Sequence, residues 1–209
     1  LEDDAEYVPP AAAGPVEFLR PAPVVKPTVQ DLGATSWPLS ADQAAKQQAA
    51  AGEIGKTIDL GGGQNLRLAL VPPGEFVMGS ADGPPDEWPP ARVRIDKPYW
   101  IGIHEISNLQ YAQFDPSHDS RVEPKQAYQF GVHGYPMNRP EQPVVRVSWE
   151  RAMAFCRWLS EKTGYDVSLP TEPQWEYAAR AGSSQPFWFG GTNDDFGPYA
   201  NLADVSIRQ

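Results

Sequence analysis

One cysteine, Cys156, stands in 209 residues. An intrachain disulfide is excluded, and so is a thiolate metal cluster, because each needs more than one sulfur. The three histidines, His104, His118 and His133, are at least fourteen residues apart and have no neighbouring cysteine, so zinc-ligand spacing is absent. They read as loop or surface histidines, with His133, between Gly131 and Pro136, the hardest to set aside. Cations are outnumbered, with 17 Lys and Arg against 27 Asp and Glu and a net charge of −10. Lys and Arg nowhere cluster. Displacing phosphate counterions needs such a cluster, which excludes nucleic acid as a partner and argues against an anionic membrane surface. No apolar run approaches the ~18 residues of a membrane-spanning helix, so membrane insertion is not expected. The chain opens on Leu1 without an apolar signal core. Its start is expected to follow a removed signal or to lie inside a longer precursor.

Pro (23) and Gly (18) together approach a fifth of the chain, against an average of about 12%. Seven Trp, eight Tyr and eight Phe accompany them. Large rings can build a core, while the Pro and Gly excess points to many turns and short regular elements.

Residues 1–39 read as a Pro-rich acidic linker or interaction arm. Glu2, Asp3, Asp4 and Glu6 open it, and seven prolines from Pro9 to Pro38 break helix and strand alike. Residues 40–57 hold a short lead-in helix: Ser40 and Gln43 form a capping-box pair, Ala and Gln fill the body, and Gly52 ends it. The domain proper is assigned to 58–209. Leu66, Leu68 and Leu70 alternate with Arg67 and Ala69 after the turn Gly61–Gly63, which predicts a half-buried strand; Phe76 with Met78, Val93 with Ile95, and Trp100 with Ile103 predict further strands. Ser107 caps a helix over 107–114. Residues 115–143 carry five prolines and predict a long ordered coil. Ser148 caps a helix over 149–163, whose apolar stripe is Ala152, Phe155, Cys156 and Leu159. Val167 and Leu169 suggest a short strand. Thr171 with Gln174 opens a last helix over 172–181, with Trp175, Ala178 and Ala179 as its inner stripe. Residues 183–209 are rich in Gly, aromatics, Asp and Asn, without period.

Cys156 sits mid-helix on an apolar stripe, where a thiol behaves as a small hydrophobe and not as a nucleophile. Glu172 and Glu176 lie one turn apart, which could suit acid–base work. The expectation is structural: Glu172 complements the helix N-terminus and Glu176 meets an Arg.

Four blocks together resemble a known family. Val71–Pro72–Pro73–Gly74–Glu75–Phe76–Val77–Met78–Gly79–Ser80 looks like the opening strand and turn of the formylglycine-generating-enzyme (sulfatase-modifying-factor) domain. Glu105–Ile106–Ser107–Asn108–Leu109–Gln110–Tyr111 resembles its first helix entry. Pro143–Trp149 with Ala154–Leu159 resembles its second helix, and Leu169–Arg180 (LPTEPQWEYAAR) its most distinctive block. They stand in the family's order across 66–205. The resemblance implies an α+β fold, a variant of the C-type lectin fold with little regular structure. It also implies calcium bound through the Asn201 side chain and the Leu202 carbonyl, with the remaining ligands beyond Gln209. True formylglycine generators oxidise a substrate cysteine with a copper-binding cysteine pair in a later region, so copper is implied only with that region present. The later blocks and the pair are absent here, and no catalytic residue carries over. The chain is therefore expected to be the first portion of the domain, lacking its C-terminal half, and to act as a non-catalytic binding or structural subunit. The alternative is a portion of a formylglycine-generating oxidase completed by that half. A protein partner or the C-terminal half is expected to cover 186–205. The calcium half-site and the arm favour an extracytoplasmic location, periplasmic or secreted.

Overall fold

A computed structural model describes residues 32–33, 36–81, 83–121 and 135–199, and the structural statements below concern these. Helix α1 (Ala41–Ala50) begins where the Ser40 side chain accepts from the Gln43 amide and the Gln43 side chain returns to the Ser40 N–H, the reciprocal box read from the sequence. It buries no side chain. Two amides hold it instead: Gln47 Nε2 donates to the Pro73 carbonyl at 2.6 Å and Gln48 Nε2 to the Leu70 carbonyl at 2.7 Å.

Strands β1 (Gly55–Gly61) and β2 (Gln64–Val71) form an antiparallel hairpin over the glycine turn, and β2 pairs on its other edge with β5 (Tyr99–Gly102). Strands β3 (Gly74–Met78) and β4 (Ala91–Ile95) form a separate two-stranded sheet. Helices α2 (Asn108–Tyr111), α3 (Trp149–Thr163) and α4 (Glu172–Arg180) follow. The architecture is α+β, as the family resemblance implied, with the short elements that composition suggested.

Two apolar clusters form the interior. The first joins Ile58, Leu60 and Leu66 from the hairpin to Tyr111 of α2 and to Phe155 and Leu159 of α3. Period-two alternation on the strands and the three-to-four spacing on α3 bring these onto facing surfaces. The second joins Phe76 and Val77 of β3, Ile95 of β4, Tyr177 of α4, and Trp37. Trp37 is 6% exposed, and the Leu39 N–H donates to the Gly182 carbonyl at 2.9 Å. Residues 36–39, which composition grouped with the Pro-rich arm, thus pack as part of the domain.

Three expectations are corrected. The helix expected over 107–114 is one turn, Asn108–Tyr111, followed by turns. Val167 and Leu169 form no strand, because Ser160 of α3 takes the local backbone: the Val167 N–H donates to Ser160 Oγ at 3.0 Å. On α4 the buried side chain is Tyr177, whereas Trp175 is 61% exposed and Ala179 is exposed. Tyr177 wins the inner face because its ring meets Phe76 at 5.2 Å. The coil expected over 115–143 is irregular wherever it is described, and 122–134 lie outside the described residues.

Candidate functional site

The polar residues of the distinctive blocks converge on two clasps. In the first, Glu176 Oε1 accepts from the Gly79 N–H at 2.8 Å and from Arg180 Nε at 2.8 Å, while Arg180 Nη2 donates to the Gly79 carbonyl at 2.9 Å. One carboxylate and one guanidinium from consecutive turns of α4 thereby satisfy both backbone groups of a residue nearly a hundred positions earlier. Gly79 is required there. Its φ is +81°, and an added Cβ would meet the Glu87 carbonyl oxygen at 2.3 Å. Gly74, at the start of β3, is equally constrained, since a Cβ there would lie 2.2 Å from the Tyr177 hydroxyl. The Tyr99 hydroxyl donates to the Gln174 carbonyl, and burial pushes its pKa up. Glu176 therefore meets an Arg, as the sequence suggested. Glu172 stands in the first turn of α4.

In the second clasp, Asn108 Nδ2 donates to the carbonyls of Met137, Arg139 and Gln142 at 2.9–3.1 Å. Its Oδ1 accepts from the buried Ser120 hydroxyl at 2.6 Å, and the Val145 N–H donates to Ser120 Oγ at 3.1 Å. His118 Nε2 lies 2.9 Å from the Val145 carbonyl and its ring packs on Tyr111. The Asn108 side chain thus reaches both described flanks of this coil, and the Asn108 and Leu109 N–H groups add bonds to the Gln142 and Pro140 carbonyls at 2.9 and 3.1 Å. His104 is exposed, and His133 lies outside the described residues.

Cys156 is buried, 5% exposed, on the inner stripe of α3, and burial pushes its thiol pKa up. Both effects oppose thiolate chemistry. Among the described residues no three His, Cys, Asp or Glu side chains stand together as a metal site. The calcium candidates Asn201 and Leu202 lie outside the described residues.

One open depression of about 410 Å³ is bordered by Ser36, Gly74, Glu75, Arg94 and Asp96. Its carboxylate is engaged: Arg92 Nε donates to Glu75 Oε2 at 3.0 Å, and the Ser36 hydroxyl and N–H donate to Oε1 at 3.0 and 3.3 Å. The Arg92 hydrogen bond, reinforced by Ser36, lowers the Glu75 pKa to about 2. This group ties residue 36 to the β3–β4 sheet, a structural use that composition did not signal.

The remaining feature is aromatic. Phe187, Trp188, Phe189, Phe196 and Tyr199 pack on one another with centroids 4.7–5.5 Å apart. Trp188 is 55% and Tyr199 52% exposed, and none of the five belongs to either apolar cluster. No described helix is long and apolar enough to cross a membrane.

A mixed fold, a glycine turn clasped by Glu176 and Arg180, and a coil clasped by Asn108 define a class of domain held by its motif residues and not by long elements. Residues 63–206 match the sulfatase-modifying factor enzyme 1-like domain, and the chain belongs to that family. The inactive C-alpha-formylglycine-generating enzyme 2 of Bos taurus is 29% identical over 61% of this chain and 53% of its own length. The formylglycine-generating enzyme of Bos taurus is 28% identical over 56% of this chain and 40% of its own. That of Streptomyces coelicolor is 30% identical over 64% and 31%. The chain thus spans about half, or less, of the curated relatives it matches. Among solved structures, PvdO from Pseudomonas aeruginosa superposes with a TM-score of 0.53 at 24% identity, covering 73% of this chain and 59% of that one, a likeness of fold.

Proposed function

We propose that this chain is a non-catalytic formylglycine-generating-enzyme-like module that serves as a binding or structural subunit. The observation that carries the reading is Cys156: the one thiol in the sequence is packed inside α3, away from water. The conspicuous carboxylates support it, because Glu176 and Glu75 are each spent on holding backbone. The likeness to an inactive relative points the same way. The surface offered for binding is the aromatic group 187–199, which a further stretch of polypeptide of the kind the longer relatives possess would cover. An extracytoplasmic location belongs to this reading, resting on the Pro-rich acidic arm. So does calcium at Asn201 and Leu202, resting on their oxygen donors, although calcium takes six to eight such ligands. The test is to incubate the chain with a peptide bearing a substrate cysteine, copper and dioxygen, and to assay aldehyde with an aminooxy probe and mass spectrometry. No aldehyde is expected; its formation overturns the reading.

A second reading is favoured by the matches to formylglycine-generating enzymes of Bos taurus and Streptomyces coelicolor. In it the chain is a portion of an oxidase that converts a substrate cysteine to formylglycine, with copper and its cysteine pair supplied by polypeptide outside these 209 residues.

A further inference from the structure

Antiparallel partners share a face of the sheet, so the register places Lys56 beside Leu68 and Trp100 beside Leu70, on the face that carries Ile58, Leu60 and Leu66 into the first apolar cluster. A lysine on that face breaks the pattern. Among the described residues it has no carboxylate partner. Its Nζ lies 4.8 Å from the centroid of Trp100 and 4.6 Å from that of Tyr165, so one ammonium stands against two rings. The other ring-bound cations described, Arg139, Arg151 and Lys162, each meet a single ring.

The two walls are set independently of the lysine. Trp100 is fixed by the β2–β5 register. Tyr165 follows Gly164, which ends α3 in the left-handed region at φ 73°, and the Tyr165 N–H donates to Thr163 Oγ1 at 3.3 Å. Tyr165 is half exposed, which leaves one side of the arrangement open to solvent. The ammonium that meets both rings stands on a four-carbon stem with rotatable bonds, which can swing into water.

We propose that Trp100 and Tyr165 form a cation slot that Lys56 occupies as a tethered competitor, and that it takes an N-methylated ammonium group when Lys56 withdraws. The walls favour methylated over bare ammonium: aromatic faces recognise quaternary ammonium groups, whereas the lysine head is compact and strongly hydrated. The slot is independent of the aromatic group at 187–199 and of the oxidase question.

The experiment follows the Trp indole N–H signals of the chain by NMR during titration with tetramethylammonium chloride, with sodium chloride as the control. Lys56→Met keeps the apolar stem and removes the competitor. It is expected to bind tetramethylammonium about tenfold more tightly than the wild type, as the loss of a cation–π occupant implies. In that background Tyr165→Leu, at a half-exposed position, abolishes the response while the folded spectrum persists. Choline and a trimethyl-lysine peptide, run side by side, distinguish a small solute from a modified polypeptide as the source of the group; tighter binding of either supports the slot. Equal affinity of Lys56→Met and wild type, or a response unchanged by Tyr165→Leu, overturns it.

Discussion

The rings of this chain live in two different settings. Between residues 36 and 182, aromatics lock elements together: Phe76 is 0% exposed and lies tilted against Tyr177, and Tyr111 joins Phe114, Phe155 and His118. Between 187 and 199, five rings pack mainly on each other while Trp188 and Tyr199 stay half exposed. The second region is the denser in rings, with five in thirteen residues, so aromatic abundance alone does not make a core. The difference lies in what surrounds the rings. In the first region, two sheets and three helices supply opposing apolar faces. In the second, Gly190, Gly191 and Gly197, with Asp194 and Asp195 accepting from the Gly191 and Gly197 N–H groups, build turns, and among the described residues no second layer covers them. A layer needs a partner to bury its apolar face.

The sharpest way to break this contrast is Phe76→Ala. It deletes a fully buried ring at the centre of the second cluster, and a loss of about 3–5 kcal/mol is expected in denaturant unfolding. A loss below about 1 kcal/mol would mean that this region is no better packed than 187–199.

Next comes the clasp on Gly79. Glu176→Ala strands Arg180, whose side chain is only 12% exposed, and leaves the Gly79 N–H unpaired. A cost of about 2–3 kcal/mol is expected from the desolvated groups left behind. Arg180→Ala on its own should cost a similar amount, and the double variant much less than the sum. Additive losses would show that the clasp does not act as a unit.

Acid should release the segment at residue 36 before it dissolves the core. The Glu75 pKa is lowered from 4.5 to about 2 by Arg92 and Ser36, so its charged form favours the folded state. That contribution is complete above pH 4.5 and is lost as pH falls toward 2. Glu75→Gln is expected to flatten the stability-versus-pH slope in that window and to leave it unchanged at neutral pH. An unchanged slope in the acid window would show that the Ser36–Glu75–Arg92 link adds no stability.

The sequence was most legible where structure is decided locally. The Ser40, Ser148 and Thr171 caps, the Gly61–Gly63 turn and the Phe155–Cys156–Leu159 stripe all follow from neighbouring residues, and the helices and strands form there. What it concealed depends on distant partners. Trp37 sits among prolines, and nothing nearby signals that Ile95 and Phe76 will receive it. On α4, Trp175 and Tyr177 are both large and amphipathic, so period alone cannot choose between them. The choice rests on two distant partners, Phe76, which receives the Tyr177 ring, and Gly74, whose missing side chain admits the Tyr177 hydroxyl. The clasps were half visible: Glu176 was expected to find an Arg, but the Gly79 backbone between them could not be read from spacing.

The smallest effect is expected in the second region, at Trp188. Its indole touches Phe189 at 5.5 Å and Tyr199 at 5.2 Å, edge to face, and is 55% exposed. Removing it forfeits two ring contacts and little burial. Trp188→Ala in this chain should therefore cost about 1 kcal/mol, since an aromatic pair is worth about 0.5–1.5 kcal/mol and the indole in both pairs here is half exposed. Binding of a hydrophobic dye to the folded chain should fall with the same substitution, because the indole is part of the exposed patch. Dye binding must move oppositely to that of Phe76→Ala, which raises it as the core opens, whereas the two stability losses share a direction and differ in size. If Trp188→Ala instead cost about 3 kcal/mol, the loss would be of the size a buried ring gives. The rings at 187–199 would then belong to the same cooperative core as Phe76, and no separate surface would remain for a covering polypeptide.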